Sequence, residues 1–166
     1  MSKHAPRSKT AFIVIHHSAT PASKDIGASE LDLQHRARGF DEIGYHLVIR
    51  RDGKVEYGRE ISVVGAHVRG FNEVSVGLCL VGGRTEAKEY QASFNFTPEQ
   101  WRSLAQVLSR LARLYPEALI VGHNDLSTKD CPGFNVRRTL AAMLRDYPDL
   151  LQRTKKASRR GDEVAI

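Results

Sequence analysis

The chain has 166 residues, of which 41% are hydrophobic and 27% are charged, and its formal net charge is +6. This length and composition predict one soluble, globular domain with its own core and exclude a largely disordered chain. No apolar run approaches the ~20 residues of a transmembrane helix. The apolar run at residues 11–15 is too short for a signal peptide, so we expect the protein to be made and kept in the cytoplasm.

The positive charge is concentrated at the two ends of the chain. Residues 1–10 and residues 151–166 each carry a net charge of +3, whereas residues 11–150 are neutral overall. A nucleic-acid-binding domain normally has a basic face on its folded body, so we expect no specific nucleic-acid partner. We expect basic, disordered tails at residues 1–10 and 152–166. The alternative is that these tails bind an anionic surface such as an outer membrane.

The first half of the chain predicts strands around one helix. Residues 11–16 are apolar and rich in β-branched side chains, which is typical of a buried strand. Ser29, with Asp32 as its capping-box partner, predicts the start of a helix that Gly39 ends. Further strands are predicted at residues 45–50, 54–58 and 75–81, the first two joined by a turn at Asp52-Gly53.

The second half predicts two helices around a short strand. Residues 84–95 are polar and aperiodic, as in a surface loop, and Thr97 and Pro98 then begin the clearest helix. The stripe of this helix that we expect to face the core consists of Trp101, Leu104, Ala105, Leu108, Leu111, Ala112 and Tyr115. A strand at residues 118–121 follows, and Asn135 caps a last helix. The inward residues of that helix are predicted to be Val136, Leu140, Met143 and Leu144.

Helices and strands therefore alternate, with one hairpin among them. This order predicts the α/β (α+β) class, with a central mixed β-sheet flanked by helices. We expect the folded domain to span residues 11–151. Cys79 and Cys131 are far apart in the sequence and do not predict a disulfide framework.

Three places carry side chains suited to catalysis. His16-His17 ends the first predicted strand, Tyr45 begins the second, and His123 follows a later one. Because open α/β sheets place their sites at strand ends, these segments could converge. His16, His123 and Cys131 would supply the three protein ligands of a catalytic zinc ion, whose fourth position is left to water. His17 is a competing ligand, although adjacent strand residues point to opposite faces.

Other polar side chains could assist chemistry at the same place. Lys129 could hold its charge near a developing oxyanion, and Tyr45 could donate a hydrogen bond or order an attacking water. The alternatives are a solvated loop lysine and an aromatic packed in the core. His67 could line a cleft, and the sequence is equally compatible with exposure. We expect structural positions for His46, Cys79 and Trp101 and surface positions for His4 and His35.

Four segments of the chain, in order, carry a resemblance to a known family: FIVIHHSAT, GYHLVIRRDGKVEYGR, VGAHVRGFNEVSVGLCLVGG and GHNDLSTKDCPGFNV. They resemble type 2 N-acetylmuramoyl-L-alanine amidases, in particular the small amidase-type lysozymes, or endolysins, of phages that infect Gram-negative bacteria. The likeness covers residues 11–144. It implies a mixed sheet flanked by helices, with zinc in a shallow surface groove.

The resemblance also implies a role for individual residues. The zinc ligands and the catalytic tyrosine and lysine of the family fall on His16, His123, Cys131, Tyr45 and Lys129. A histidine of the substrate groove falls on His67. Many relatives have a glutamate in place of Tyr45, and the tyrosine is typical of the phage branch.

The implied function is zinc-dependent hydrolysis of the amide bond between N-acetylmuramic acid and L-alanine, with one Zn²⁺ per chain. The expected partner is peptidoglycan, which a monomer would reach in the periplasm after a separate protein opens the inner membrane. The resemblance also permits binding to the phage RNA polymerase. One alternative is a regulator of that polymerase. The other is a non-catalytic peptidoglycan-recognition protein, and such proteins typically lack the cysteine ligand.

Overall fold

The computed structural model describes residues 4–154, so residues 1–3 and 155–166, including most of the predicted C-terminal tail, lie outside the described residues. The strands are β1 (Phe12–His17), β2 (Leu47–Ile49), β3 (Val55–Tyr57), β4 (Ser75–Leu80) and β5 (Leu119–Gly122). The helices are α1 (Ala28–Ala37), α2 (Pro98–Leu114), α3 (His123–Leu126), α4 (Val136–Met143) and α5 (Pro148–Leu151), and a 3₁₀ turn spans Asn72–Val74.

The five strands form one sheet in the order β3-β2-β4-β1-β5. β2 and β3 pair antiparallel, as the predicted hairpin requires, and the other three pairs are parallel. The prediction of a central mixed sheet flanked by helices is therefore confirmed. The short helices α3 and α5 were not predicted.

The register of β1 determines where the polar side chains meet. β1 lies between β4 and β5, and both neighbours run parallel to it. Ile15 lies beside Gly122 in the paired strands β1 and β5. The residues that follow them, His16 and His123, therefore come together at the carboxyl edge of the sheet. The predicted convergence at strand ends follows from this register.

The two faces of β1 contribute to different parts of the core, because its side chains alternate between them. Ile13 and Ile15 pack in the large cluster that includes α2 and α4, whereas Val14 packs with Val68 and Val121 on the other face. The predicted stripe of α2 is buried at Trp101, Leu104, Ala105, Leu108, Leu111 and Ala112. Within residues 4–154, no helix combines the length and apolar character needed to cross a bilayer.

The start of α1 corrects the prediction made from Ser29 and Asp32. The helix begins earlier, at Ala28, and the Glu30 carboxylate caps its first turn by accepting a hydrogen bond from Gly27 N at 2.8 Å. Asp32 instead accepts a hydrogen bond from Ile43 N at 2.6 Å. This carboxylate therefore ties α1 to the segment before β2, a tertiary contact that local sequence does not reveal.

α2 and α4 begin as predicted. Thr97 accepts a hydrogen bond from Gln100 N at 3.1 Å, and Asn135 accepts one from a backbone N–H of the first turn of α4 at 2.9 Å. The inward position predicted for Met143 is wrong, since this side chain is 45% exposed. α4 ends at Met143, and the predicted burial of Val136, Leu140 and Leu144 is confirmed.

The segment before β1 lies against the folded body. The Arg7 guanidinium donates hydrogen bonds to the carbonyl oxygens of Ile61 and Val63, at 2.7 Å and 2.9 Å, and to the Tyr115 hydroxyl at 3.0 Å. Residues 4–10 therefore differ from the free tail that the composition predicts. The physical reason is that hydrogen bonds from a charged guanidinium are stronger than those between neutral groups, and these acceptors fix Arg7 against the folded body.

Candidate active site

The three predicted metal ligands lie together at the carboxyl edge of the sheet. The ligating atoms of His16, His123 and Cys131 all lie within 4.8 Å of one another. His16 Nδ1 is 3.6 Å from Cys131 Sγ, and the centroids of the two histidine rings are 4.7 Å apart. Two imidazoles and a thiolate are common ligands of divalent transition metals, so this cluster could hold such an ion.

Both histidines of the cluster are held in the neutral form. Burial lowers the pKa of His16 well below its usual value, and the neighbouring His67 acts in the same direction. Burial also lowers the pKa of His123 to about 4, with a smaller contribution from the Lys129 cation. A neutral imidazole offers the free lone pair that a metal ion requires.

Cys131 lies on the loop after α3 and is held by backbone groups of two elements. Its carbonyl oxygen accepts a hydrogen bond from Asn124 N at 2.7 Å, and the His17 N–H donates to its Sγ at 3.4 Å. Burial raises the pKa of the thiol to about 12, while the His17 N–H and the Lys129 charge act in the opposite direction. A bound cation would favour the thiolate, so metal binding would release a proton.

The His17 ring points away from the cluster. Its Nδ1 accepts a hydrogen bond from Ala19 N at 2.8 Å, so Nε2 carries the proton of the neutral ring. That Nε2 lies 3.2 Å from the Tyr90 hydroxyl, and the Tyr90 ring stacks on the imidazole. The alternation of side chains along β1 thus separates His17 from the three ligands, although its backbone N–H contacts one of them.

Tyr45 packs beside the cluster. Its ring centroid is 5.1 Å from that of His16 and 5.2 Å from that of His35. Burial raises the pKa of its phenol well above the usual value, so the hydroxyl keeps its proton at neutral pH. In this form Tyr45 can donate a hydrogen bond.

A groove of about 520 Å³ borders the cluster. Four of the residues predicted to be functional line it: Tyr45, His67, His123 and Lys129. Sequence analysis did not predict four other lining residues: His35, Arg38, Phe40 and Arg69. Together Arg38, Arg69 and Lys129 give the groove a positive charge, which suits an anionic ligand.

Comparison with known proteins places this arrangement in a family. The sequence profile of N-acetylmuramoyl-L-alanine amidases matches residues 6–134. The chain belongs to the N-acetylmuramoyl-L-alanine amidase family. The amidase is 45% identical to the endolysin of Enterobacteria phage K11 over 132 residues, 80% of this chain and 86% of that protein.

Two further relatives agree with this assignment. The endolysin of Escherichia phage T7 is 40% identical to the amidase over 132 residues, with the same 80% and 86% coverage. The solved structure of LysCS, an endolysin N-acetylmuramoyl-L-alanine amidase from Clostridium intestinale, has a TM-score of 0.72 at 30% identity. The similarity covers 87% of this chain and 89% of LysCS.

Two histidines of the amidase depart from their predicted surface positions. His35 is only 5% exposed, because its Nδ1 accepts a hydrogen bond from Gly44 N at 2.9 Å and its ring stacks on Phe40. His4 is partly buried, with Nε2 2.9 Å from a carboxylate oxygen of Glu42. The His4 contact joins distant segments, which no local pattern reveals. The His35 contacts are to the turn that follows α1, whose path the helix pattern does not specify. The predicted burial is confirmed for His46, Cys79 and Trp101.

Proposed function

We propose that this amidase acts as a phage-type endolysin and hydrolyses the amide bond between N-acetylmuramic acid and L-alanine in peptidoglycan, with one zinc ion per chain. His16, His123 and Cys131 are the metal ligands of this proposal, and Tyr45 and Lys129 are its catalytic residues. The observation that carries it is a thiol placed beside two neutral histidines at a cationic groove. The proposed catalytic domain spans residues 11–151.

The donor set fits zinc in its chemistry and in the spacing of one ligand pair. Zinc binds imidazole nitrogen at about 2.0–2.1 Å and thiolate sulfur at about 2.3 Å, so the two ligands of a tetrahedral ion lie roughly 3.6 Å apart. His16 Nδ1 and Cys131 Sγ are 3.6 Å apart. Magnesium and calcium prefer oxygen ligands, so this set disfavours them. Three protein ligands are also the number that catalytic zinc sites use.

The residues around the ligands would stabilise the charge that develops during hydrolysis. When bound, zinc supplies Lewis acidity for the scissile carbonyl and the attacking water. The Tyr45 hydroxyl, which keeps its proton, donates a hydrogen bond to the carbonyl oxygen as its negative charge grows. The Lys129 ammonium group, on the wall of the same groove, adds positive charge near that oxygen.

The groove itself would bind the stem peptide. Peptidoglycan stems carry free carboxylates, and Arg38 and Arg69 line the groove at its positively charged wall. Guanidinium groups bind carboxylates with two parallel hydrogen bonds, which orients the peptide as well as attracting it. The amide next to the sugar would then be held at the cluster.

The alternative is a recognition protein that binds peptidoglycan without cutting it. Cys131 argues against this alternative, because its Sγ lies within 4.8 Å of a ring nitrogen of each histidine and could complete a metal site. Metal analysis of the purified protein, together with turbidity loss of chloroform-treated Gram-negative cells, separates the two. We expect one zinc per chain and lysis that a chelator and Cys131→Ser both abolish. A metal-free protein without lytic activity would support the recognition role instead.

The proposed route to the wall can be tested separately. As an endolysin, the protein would be made in the host cytoplasm and would reach the periplasmic peptidoglycan only after a second protein opens the inner membrane. Expression in Escherichia coli should therefore cause lysis only when the membrane is permeabilised. Lysis by the protein expressed alone would contradict this route.

A further inference from the structure

His67 lies directly behind the metal-ligand cluster. It is buried, and its Nδ1 is 2.9 Å from His16 Nε2. The opposite nitrogen of His16, Nδ1, is the one that faces Cys131. His67 therefore contacts the nitrogen of His16 that is not directed at the cluster.

A hydroxyl group beyond His67 determines where the protons of both rings lie. Ser75 Oγ donates a hydrogen bond to Phe71 O at 2.7 Å, because a carbonyl oxygen can only accept. Its single proton is then used, so Ser75 Oγ can only accept from His67 Nε2, which is 3.3 Å away. A neutral imidazole with a proton on Nε2 has an unprotonated Nδ1.

The same reasoning continues to the ligand. Since His67 Nδ1 has no proton, the 2.9 Å contact must have His16 Nε2–H as its donor. His16 Nδ1 then carries a free lone pair directed toward Cys131. The chain of hydrogen bonds from His16 through His67 and Ser75 to Phe71 O thus fixes the only neutral form of His16 that can bind a metal through Nδ1.

The backbone around His67 leaves its ring little freedom to turn away. A Cβ atom added at Gly77 would lie 2.5 Å from His67 Cγ, and one added at Gly65 would lie 2.7 Å from His67 Cδ2. Asn72 Oδ1 accepts hydrogen bonds from the backbone N–H groups of His67 and Val68 at 2.8 Å and 2.9 Å. Two glycines and one asparagine therefore form a close-fitting niche for this imidazole.

We infer that His67 is a positioning residue that, with Ser75, holds His16 in the Nε2-protonated tautomer and so presents Nδ1 to the metal. Both ring nitrogens of His67 are engaged in this chain, so only its ring edge remains for the groove that it lines. This differs from a role in binding substrate, the one the family resemblance implies. The metal-binding part rests on the proposed zinc site, whereas the tautomer does not.

The first test is the tautomeric state of the metal-free protein. Long-range ¹H–¹⁵N correlation spectra at neutral pH distinguish the protonated from the unprotonated nitrogen of each ring. We expect a proton on Nε2 and a bare Nδ1 in both His16 and His67. A proton on His16 Nδ1 would overturn the inference, whether or not the protein binds zinc.

Ser75→Ala sharpens this first test. The substitution removes the hydroxyl acceptor of His67 Nε2–H, and it keeps both rings and the Ser75 backbone, which also acts on His67. We expect the spectra of this variant to show a mixture of tautomers at His67 and His16. Unchanged single tautomers would mean that the hydroxyl does not set the protons, which contradicts the inference.

The second test measures zinc affinity with a competing chelator. His67→Leu keeps an apolar side chain of moderate size but removes the acceptor, and should weaken zinc binding about 10- to 100-fold. His67→Asn places an amide oxygen near the position of Nδ1 and should recover most of that loss. Amide spectra of the metal-free variants check that each is folded. Equal affinities of wild type and His67→Leu, or equal losses in both variants, would overturn the positioning role.

The two tests separate this inference from the proposed function. If the wild type binds zinc but does not cleave peptidoglycan, the proposed function fails while the affinities still decide the role of His67. If the wild type binds no zinc, the proposed metal site fails while the tautomer measurement still decides the hydrogen-bond chain.

Discussion

The carboxyl end of β1 carries two adjacent histidines whose surroundings differ. His16 faces a buried group of histidines, with His67 at 2.9 Å and His46 packed against His67. His17 faces the other way, toward Tyr90, whose side chain is 50% exposed. Burial lowers the pKa of both rings, and yet only the His16 ring belongs to the cluster with Cys131. The comparison teaches that the face of the strand decides which histidine joins the cluster, and that burial alone does not.

The largest expected effect, on zinc binding, comes from replacing each of the two histidines separately. His16→Ala removes a proposed ligand and should abolish both zinc binding and peptidoglycan hydrolysis. His17→Asn should retain one zinc per chain, because the backbone N–H that contacts Cys131 remains. Metal analysis of both purified variants measures the difference. Equal loss of zinc in both would break the comparison.

A second prediction concerns the tyrosine hydroxyl groups beside the two histidines, Tyr45 on the His16 side and Tyr90 on the His17 side. Tyr45→Phe removes the proposed donor to the reacting carbonyl and should lower kcat about 10²- to 10³-fold with zinc content unchanged. Tyr90→Phe is the matched control, since it removes a hydroxyl on the His17 side. Its kcat should stay close to that of the wild type. Similar rates for the two variants would argue against the role of Tyr45.

Acid should destabilise the side of β1 that contains the buried histidines. Burial lowers the pKa of His46 from 6.5 to about 4, so between these values the unfolded chain binds a proton that the folded protein does not. This contribution to stability is complete above about pH 6.5 and falls as the pH drops toward 4, by on the order of 3 kcal/mol.

Denaturant unfolding at several pH values measures this loss. His46→Asn retains a side-chain acceptor near that of Nδ1 for Gly77 N but has no titrating ring, so its stability should decline less steeply than that of the wild type. Parallel declines in the two proteins would show that other groups cause the acid sensitivity.

The smallest expected effect is on the His17 side. Tyr90→Phe loses one partly exposed hydrogen bond to His17 and should reduce the free energy of unfolding by about 0.5–1.5 kcal/mol. Urea unfolding at pH 7 checks this value. A loss of zinc together with a larger destabilisation would show that Tyr90 supports the cluster through His17, which would weaken the distinction between the two sides.

Sequence predicted those features that depend on local pattern and on strand ends. Thr97 and Pro98 mark the start of α2 through local capping chemistry, and the alternation along β1 separates His16 from His17. The approach of His16 to His123 also followed, because parallel strands end at a common edge. Cys131 lies on a loop, and its choice as the third proposed ligand rested on the family resemblance as well.

Sequence could not predict contacts between segments that only folding brings together. The position of Asp32 is typical of a residue that caps its own helix, but its carboxylate accepts a hydrogen bond from the Ile43 N–H instead. Arg7 looks like part of a charged tail, but three acceptors from other segments hold it. The link from His16 to His67 spans 51 residues and depends on the direction of one serine proton.

The most direct test of the central claim is to identify the bond that the protein cuts. Purified peptidoglycan would be digested with the zinc-loaded protein, and the soluble products would be analysed by mass spectrometry, with Cys131→Ser as the control. We predict stem peptides with a free amino group on L-alanine from the wild type, and none from the variant or in the presence of chelator. Intact muropeptides, or cleavage between sugars, would contradict the assignment of the site as a zinc amidase.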